Sequence, residues 1–247
     1  MDQYRKYLDY PIITTVSKVA DEMQLMVYVV GGFVRDCFLE KGNRNDIDIA
    51  VVGNGIDFAG AVAQRLKPQP EIDFFPYYGT ARIKYNGWKL DFAGTRKERY
   101  HTHSRFPVIE AGTLEDDQKR RDFTINTMAF DLRQNHFGEF IDPYNGLNDI
   151  KNRIICTTRD PLIVFAEDPL RMLRAIRFAT QLDFDIEAGC YDAIIKNAPK
   201  IELVGNEKFL DELYLITSDP NSFKGLRMLE ETGLRSIHKK KRPDKNL

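Results

Sequence analysis

The sequence predicts an α+β protein in which a head of alternating strands and helices is followed by an all-α segment. Two observations support this class. Over roughly the first 140 residues, short β-rich apolar runs alternate with stretches whose apolar residues recur at helical spacing, and after about residue 160 only helical patterns remain. Because the pattern changes once and does not repeat, we divide the chain into a head domain at residues 1–145 and a helical domain at residues 146–247.

The head is predicted to contain five strands, at residues 26–30, 46–52, 71–75, 79–85 and 88–93. Asn86-Gly87, between the last two, is a strong hairpin signal. Helices are predicted over residues 34–40, 58–66 and 114–128, and a short hairpin-like piece follows at about residues 130–132 and 140–143. The polar stretch from Thr95 to Leu114 has no periodicity and is expected to be a long functional loop. We expect His101 and His103 within it to be solvated rather than metal-bound.

The helical domain is predicted to begin with one strong amphipathic helix over residues 160–181, introduced by Pro161. Three further helices are predicted over residues 187–198, 206–218 and 221–233. The basic stretch from His238 to the end is expected to be a solvated tail.

Composition excludes several classes of protein. The 247 residues are 43% hydrophobic and 30% charged, the profile of a soluble globular protein rather than a disordered chain. No apolar run approaches the roughly 20 residues of a membrane helix, and the N-terminus lacks the pattern of a secretory signal. We therefore expect a cytoplasmic protein without membrane association. With a net charge of −1, any contact with nucleic acid would rely on local basic clusters. The sequence indicates no oligomeric state.

Three acidic residues on predicted strands are the first candidates for chemistry. Asp46 and Asp48 lie two residues apart on one strand, so their side chains project from the same face. Adjacent carboxylates repel each other unless a cation lies between them, and hard oxygen ligands suit Mg²⁺. Asp91 on a later strand would complete a two-metal phosphoryl-transfer site if the three converge. The alternative is that Asp46 caps a turn and Asp48 is a solvated edge residue.

Glycines and basic residues stand where they suit phosphate binding. Gly31-Gly32 closes the first strand and opens a helix, where backbone N–H groups can approach a phosphate, and Arg35 follows one turn later. Arg121 could bind triphosphate oxygens as a planar fork, and Asn126 could reach sugar or phosphate. The alternatives are a glycine pair that ends a strand for steric reasons and a solvated basic helix turn.

The stretch Glu167–Ala179 carries an acid and three arginines at a spacing of three. This spacing places Asp168, Arg171, Arg174 and Arg177 on neighbouring parts of one helix surface. A carboxylate and a guanidinium side by side can accept and donate hydrogen bonds at the edge of a base. Such a pair could read a nucleotide without a nucleic-acid template. The alternative is a salt-bridged surface helix.

Seven segments follow one another in a recognisable order: GGFVRD (31–36), NDIDIAVVG (45–53), YGTARI (78–83), LDFAGTRKERY (90–100), GTLEDDQKRRDFTINTMA (112–129), DPYNGLNDI (142–150) and EDPLRMLRAIRFA (167–179). Together they resemble the class II tRNA nucleotidyltransferase and poly(A) polymerase family. The resemblance runs from about residue 26 to about residue 180 and more weakly to about residue 235. One such segment is unspecific, whereas the ordered set is highly specific.

The resemblance implies a polymerase-β-like nucleotidyltransferase head with a mixed sheet, followed by an all-α neck that holds the incoming nucleotide. Asp46 and Asp48 match the family's metal-binding carboxylates and Asp91 resembles the third acid, so these three are the expected catalytic and Mg²⁺-binding residues. Asp168 and Arg171 match the pair that acts as a protein template for CTP and ATP. The expected nucleotide-binding residues are Gly31, Gly32, Arg35, Arg121, Asn126, Asp168, Arg171, Arg174 and Arg177.

The activity that the resemblance implies is template-independent addition of CMP and AMP, from CTP and ATP, to the 3′ end of tRNA. An A-adding, a CC-adding or a poly(A) polymerase is the alternative within the family, and a nucleotide-binding fragment without turnover is the alternative outside it. Family members usually continue into body and tail domains, so we expect this chain to be truncated. Lys208 stands where the family usually has arginine, which keeps the charge and loses the planar fork. The polar stretch at about 95–114 resembles the flexible element linked to switching from C to A addition.

Overall fold

The computed structural model describes residues 4–40, 45–99 and 107–236, and these residues form two compact units. The first unit contains the described residues up to Glu98, together with Ile109–Arg121 and Ile125–Ile150. The second contains Asp122–Thr124 and the described chain from Lys151 onward, with Arg99 and residues 107–108. Within the described part of the chain, no helix is both long enough and apolar enough to cross a membrane.

A seven-stranded mixed sheet organises the first unit. In spatial order its strands are β3 (Ile72–Phe75), β4 (Thr80–Tyr85), β5 (Trp88–Gly94), β2 (Asp46–Val51), β1 (Val27–Val30), β8 (Ala129–Asp131) and β9 (Phe140–Ile141). β2 and β5 run parallel, and every other pair of neighbours in this sheet is antiparallel. The five strands predicted for the head and the hairpin-like piece after them are all present.

The β4–β5 hairpin forms as the sequence predicted. The two strands pair from Thr80 opposite Ala93 to Tyr85 opposite Trp88. Asn86 and Gly87 between them have φ angles of 47° and 81°. A two-residue turn with positive φ at both positions matches the right-handed twist of the flanking strands, which is why this dipeptide favours a hairpin.

Five helices accompany the sheet: α1 (Pro11–Glu22), α2 (Gly32–Phe38), α3 (Gly55–Arg65), α4 (Leu114–Arg120) and α5 (Gly146–Asn152). The sequence analysis missed α1 and α5. The signal for α1 was present, because Pro11 opens the helix and Ile12, Ile13, Val16 and Val19 are buried at helical spacing.

The prediction of a helix over residues 114–128 is wrong beyond Arg120. Arg121 is extended (ψ 158°), and the chain continues through a 3₁₀ turn at Thr124–Asn126 into β8. Every residue from Asp122 to Leu132 is buried. A helix with one face in the core buries only part of its residues. This continuous burial therefore favours an irregular segment that passes through the core.

The loop predicted between Thr95 and Leu114 is also wrong in its described part. β6 (Arg96–Arg99) and β7 (Val108–Ala111) pair as a separate two-stranded sheet. The Gly112 amide donates to the Thr95 carbonyl at 3.1 Å and closes the base of this ribbon. His101, His103 and the basic tail from His238 lie outside the described residues.

The second unit is helical, as predicted. Its helices are α6 (Pro161–Glu167), α7 (Leu170–Leu182), α8 (Ala188–Asn197), α9 (Asn206–Thr217) and α10 (Ser222–Glu231), with a small parallel pair of β10 (Ile154–Ile155) and β11 (Asp185–Ile186). The single helix predicted over residues 160–181 is two helices, broken at Asp168-Pro169. The Pro169 ring disfavours α-helical backbone at the preceding residue, and Asp168 is extended, with φ −138° and ψ 100°.

Candidate active site

Three carboxylates meet on one face of the mixed sheet. Asp46 and Asp48 are exposed on β2, while Ile47 and Ile49 between and after them are buried. The parallel pairing of β2 with β5 places Asp48 directly beside Asp91. One oxygen from each of the three carboxylates lies within 4.8 Å of the others. The convergence expected from the sequence is therefore present, and we call Asp46, Asp48 and Asp91 the carboxylate triad.

Two basic side chains that the sequence analysis did not select neutralise part of this charge. The Lys89 Nζ lies 2.6 Å from Oδ2 of Asp46 and 3.3 Å from Oδ2 of Asp91. Arg82 on β4 donates two hydrogen bonds to the Asp91 carboxylate, at 2.6 and 3.1 Å. The signal for Lys89 was its position two residues before Asp91, which puts both side chains on one face of β5.

Asp48 lines a cavity of about 280 Å³ together with Asp91 and Arg121. Its side chain reaches solvent, but the protein atoms crowded around it raise the pKa of the carboxyl. The Arg121 guanidinium opposes this shift, and the charges of Asp46 and Asp91 add to it. A cation among the three carboxylates would relieve their mutual repulsion, and an all-oxygen donor set fits a hard divalent cation.

Gly31 lies against this cluster. Its φ is +73°, and a Cβ at this position would lie 2.9 Å from Oδ2 of Asp48 and 3.3 Å from Nη1 of Arg121. A side chain would therefore collide with the triad, which explains a glycine here. At Gly32 the nearest atom to a Cβ is Nη2 of Arg35 at 3.6 Å, an ordinary contact. Of the predicted glycine pair, Gly31 is thus the position where a side chain would be strained.

The predicted residues Arg35, Arg121 and Asn126 form one hydrogen-bonded chain beside the triad. Arg35 Nη1 donates to Oδ1 of Asn126 at 2.9 Å, and Arg121 Nη1 donates to the Asn126 carbonyl at 3.1 Å. Asp117, which the sequence analysis missed, orients Arg121 through bonds of 2.8 and 3.1 Å. Burial acts to raise the pKa of Asp117, but the guanidinium groups of Arg121 and Arg120 hold that pKa below its usual value.

Asp168 and Arg171 belong to the second unit. Contrary to the prediction, they do not share a helix surface. Asp168 lies in the break before α7, where its carboxylate accepts a hydrogen bond from the Leu170 amide at 3.2 Å. Arg171 is in the first turn of α7 and is only 7% exposed. Its Nη1 lies 3.4 Å from the Val164 carbonyl and 3.5 Å from the Glu167 carboxylate. The guanidinium is therefore held toward the preceding helix.

Arg174 and Arg177, also in the second unit, are held by carboxylates that the sequence analysis did not select. Arg174 pairs with Asp122 at 2.6 Å, and Arg177 pairs with Glu212 at 2.6 Å and lies 4.1 Å from the centre of the Phe178 ring. The charge of Asp122 raises the pKa of Arg174, whereas burial lowers the pKa of Arg177. These pairs give two arginines of α7 fixed orientations.

The fold and the carboxylates together define a class of protein. A mixed sheet whose two parallel neighbours bring three carboxylates together, followed by a helical unit, is the architecture of a polymerase-β-like nucleotidyltransferase. Residues 27–156 match the family model described as the poly A polymerase head domain. The chain belongs to this family, which confirms the resemblance seen in the ordered segments.

The alignments with individual relatives span most of this chain. An A-adding tRNA nucleotidyltransferase of Geobacter sulfurreducens is 39% identical over 232 residues, which are 92% of this chain and 26% of that protein. A CCA-adding enzyme of a Geobacillus species is 37% identical over 209 residues, covering 84% of this chain and 49% of that protein. A solved tRNA nucleotidyltransferase complexed with a primer tRNA and an incoming ATP analogue is 32% identical, with a TM-score of 0.78, over 90% of this chain and 62% of that chain. This chain thus spans about a quarter of the first relative and about half of the second.

Proposed function

We propose that this protein is a tRNA nucleotidyltransferase that adds CMP and AMP, from CTP and ATP, to the 3′ end of tRNA without a nucleic-acid template. The observation that carries the proposal is the carboxylate triad, with its oxygens within 4.8 Å of one another on the sheet of this family. The names of the relatives support tRNA as the acceptor. The A-adding relative, at 39% identity, favours addition of A alone as the second candidate.

Asp46, Asp48 and Asp91 would hold divalent metal ions, for which we propose Mg²⁺. The Lys89 ammonium lies against two of these carboxylates, which supports a cation at this place. When bound, Mg²⁺ would lower the pKa of the RNA 3′-hydroxyl and neutralise charge on the triphosphate. The protein atoms crowded around Asp48 and the negative charges of the neighbouring acids disfavour its charged form, and this raises its pKa. A cation bound there would reduce the repulsion between the carboxylates.

The residues around the triad orient the triphosphate. The absence of a side chain at Gly31 lets the backbone lie close against Asp48 and Arg121. Arg121, oriented by Asp117, presents a planar fork suited to phosphate oxygens. The 3′-hydroxyl gives up its proton to water as its oxygen attacks the α-phosphorus in line, the bond to the departing pyrophosphate breaks, and no covalent enzyme intermediate forms. The protein therefore acts by positioning and charge rather than by a nucleophilic side chain.

In the second unit, Asp168 and Arg171 would select the base. An acid and a guanidinium offer an acceptor and donors to the edge of a nucleobase. The burial of Arg171 and its contacts with Glu167 and Val164 favour one fixed orientation, which discrimination between C and A requires. The ion pairs of Arg174 with Asp122 and of Arg177 with Glu212 hold side chains further along α7, the helix that carries Arg171.

The test is extension of three tRNA transcripts, ending before CCA, at C and at CC, with Mg²⁺ and either CTP or ATP, resolved at single-nucleotide length. Sequential addition of C, C and A is the expected result, and addition of A only to the transcript ending in CC would assign the second candidate. Asp48→Asn is the matched control, because it keeps the shape of the side chain and removes its charge. Nucleotide incorporation by that variant at the wild-type rate would overturn the site assignment.

A further inference from the structure

An exposed aromatic surface borders the cavity, and the proposed chemistry does not use it. β3 is an edge strand of the mixed sheet, and after it the chain makes a 3₁₀ turn at Pro76–Tyr78 before Gly79, with φ +63°, leads into β4. Phe75, Tyr77 and Tyr78 are 38%, 86% and 63% exposed. Large aromatic side chains this exposed are typical of binding surfaces. We call these three residues the aromatic rim.

Strand register places the start of the rim on the face of the triad. Phe75 pairs with Thr80, and two residues further along β4, Arg82 pairs with Asp91. Residues that lie opposite each other or two apart share a face, so Phe75 lies on the same side of the sheet as Asp91. Phe74, one residue earlier on β3, lies on the opposite side although it is 52% exposed.

The rim is continuous with the candidate active site. Phe75 lines the same cavity as Asp48 and Asp91. The Arg82 guanidinium, which is bonded to Asp91, lies 5.6 Å from the centre of the Phe75 ring. Tyr77 follows in the turn, and its ring centre lies 5.0 Å from that of Tyr78, with the two rings perpendicular. The aromatic rim therefore begins at the cavity with Phe75, and the exposed pair of Tyr77 and Tyr78 follows it along the chain.

We propose that the aromatic rim is a stacking platform for the unpaired bases at the 3′ end of the RNA acceptor, an inference that rests on the function proposed above. The 3′-hydroxyl must reach the triad, so the last nucleotides of the acceptor must lie beside the cavity. Every base has a π face, so stacking on aromatic side chains tolerates any base. This tolerance suits an acceptor whose terminal base changes as nucleotides are added.

The experiment measures binding of a short single-stranded oligoribonucleotide that carries 2-aminopurine at its 3′ end, whose fluorescence is quenched when the base stacks. For Tyr77→Ala we expect reduced quenching and a Kd about tenfold higher than wild type. The KM for the tRNA acceptor should rise by a similar factor, while the KM for ATP stays unchanged. Phe74→Ala is the matched control, because it removes an exposed aromatic ring from the same strand on the other face, and it should behave as wild type.

Three outcomes would overturn the inference, and they are distinguishable. Wild-type quenching and Kd in both Tyr77→Ala and Phe75→Leu, with tRNA extension intact, would remove the platform and leave the proposed function standing. If the wild-type chain neither binds the oligonucleotide nor extends tRNA, both the platform and the proposed function fail for this chain. If Tyr77→Ala abolishes self-association in sedimentation while RNA binding is unchanged, the rim is a protein interface.

Discussion

Replacing Lys89 with methionine should tighten the binding of a divalent cation at the carboxylate triad. The Lys89 ammonium lies 2.6 Å from Oδ2 of Asp46 and 3.3 Å from Oδ2 of Asp91. An incoming cation must therefore either displace the ammonium or bind beside it. Methionine keeps an unbranched side chain of similar length and carries no charge, so the variant isolates the electrostatic contribution.

Both routes predict a similar penalty in the free energy of cation binding. An ammonium that stays roughly 4 Å from a divalent ion is repelled by about 2 kcal/mol in a water-like dielectric, and salt reduces this figure. An ammonium that leaves gives up two ion pairs worth up to about 1 kcal/mol each, because Asp46 is 63% exposed and Lys89 is 35% exposed. Either route weakens cation binding in the wild type by about 1–2 kcal/mol, so the Kd of Lys89→Met should be about tenfold lower.

The assay is a titration with Mn²⁺ followed by electron paramagnetic resonance, without nucleotide or RNA. Lys84→Met is the matched control, because Lys84 pairs with Lys89 across β4 and β5, is exposed and forms no ion pair among the described residues. Its Mn²⁺ affinity should change less than twofold, and Lys89→Arg, which keeps the charge, should retain wild-type affinity. Equal affinities for wild type and Lys89→Met would refute the reasoning.

Three further predictions concern stability and activity. Gly31→Ala should abolish nucleotide incorporation and lower the free energy of unfolding in urea by about 2 kcal/mol, because φ is +73° and the new Cβ enters the triad. Glu212→Gln removes the charged partner of Arg177, whose side chain is 12% exposed, and should lower that free energy by about 3 kcal/mol. Burial acts to raise the pKa of Asp117, but Arg121 and Arg120 together outweigh it and lower that pKa. The charged form therefore stabilises the fold above the usual pKa of 3.8, and this contribution is lost as the pH falls toward the lowered value. The difference in unfolding free energy between wild type and Asp117→Asn should therefore shrink below pH 3.8.

Each of these predictions has a contradicting result. Full incorporation by Gly31→Ala would show that a side chain is tolerated beside Asp48. An unchanged urea midpoint for Glu212→Gln would show that Arg177 does not need its charged partner. A stability difference for Asp117→Asn that stays constant, or grows, as the pH falls from neutral into the acid range would reverse the sign argued for this carboxylate.

The features predicted correctly depend on local patterns. Alternation along β2 exposes Asp46 and Asp48 together, and Asn86-Gly87 sets its own turn, so neither needs knowledge of distant residues. The break at Pro169 had a local signal as well, because a proline inside a helical pattern ends the helix at the residue before it. That error came from giving amphipathic spacing more weight than the proline ring.

Other features depend on packing that local patterns do not contain. Residues 122–132 are buried continuously in the folded protein. The local sequence does not contain the neighbours that bury them, so its pattern alone resembles a helix. The pair of Arg174 with Asp122 joins residues 52 positions apart, and that of Arg177 with Glu212 joins residues 35 apart. Each residue was visible in the sequence, but their pairing follows only from the tertiary fold.

The single parallel pairing in the sheet has a consequence for the order of folding. β4 and β5 are neighbours along the chain and can form a hairpin early, whereas β2 meets β5 only after residues 52–87 between them have been closed into a loop. Closing such a loop costs chain entropy that the hairpin does not require, so we expect the β2–β5 contact to form after the hairpin. Asp48 and Asp91 become neighbours only at that step. The capacity to bind a divalent cation should consequently arise after the hairpin in refolding, and it would report the joining of β2 to β5 more directly than overall compaction does.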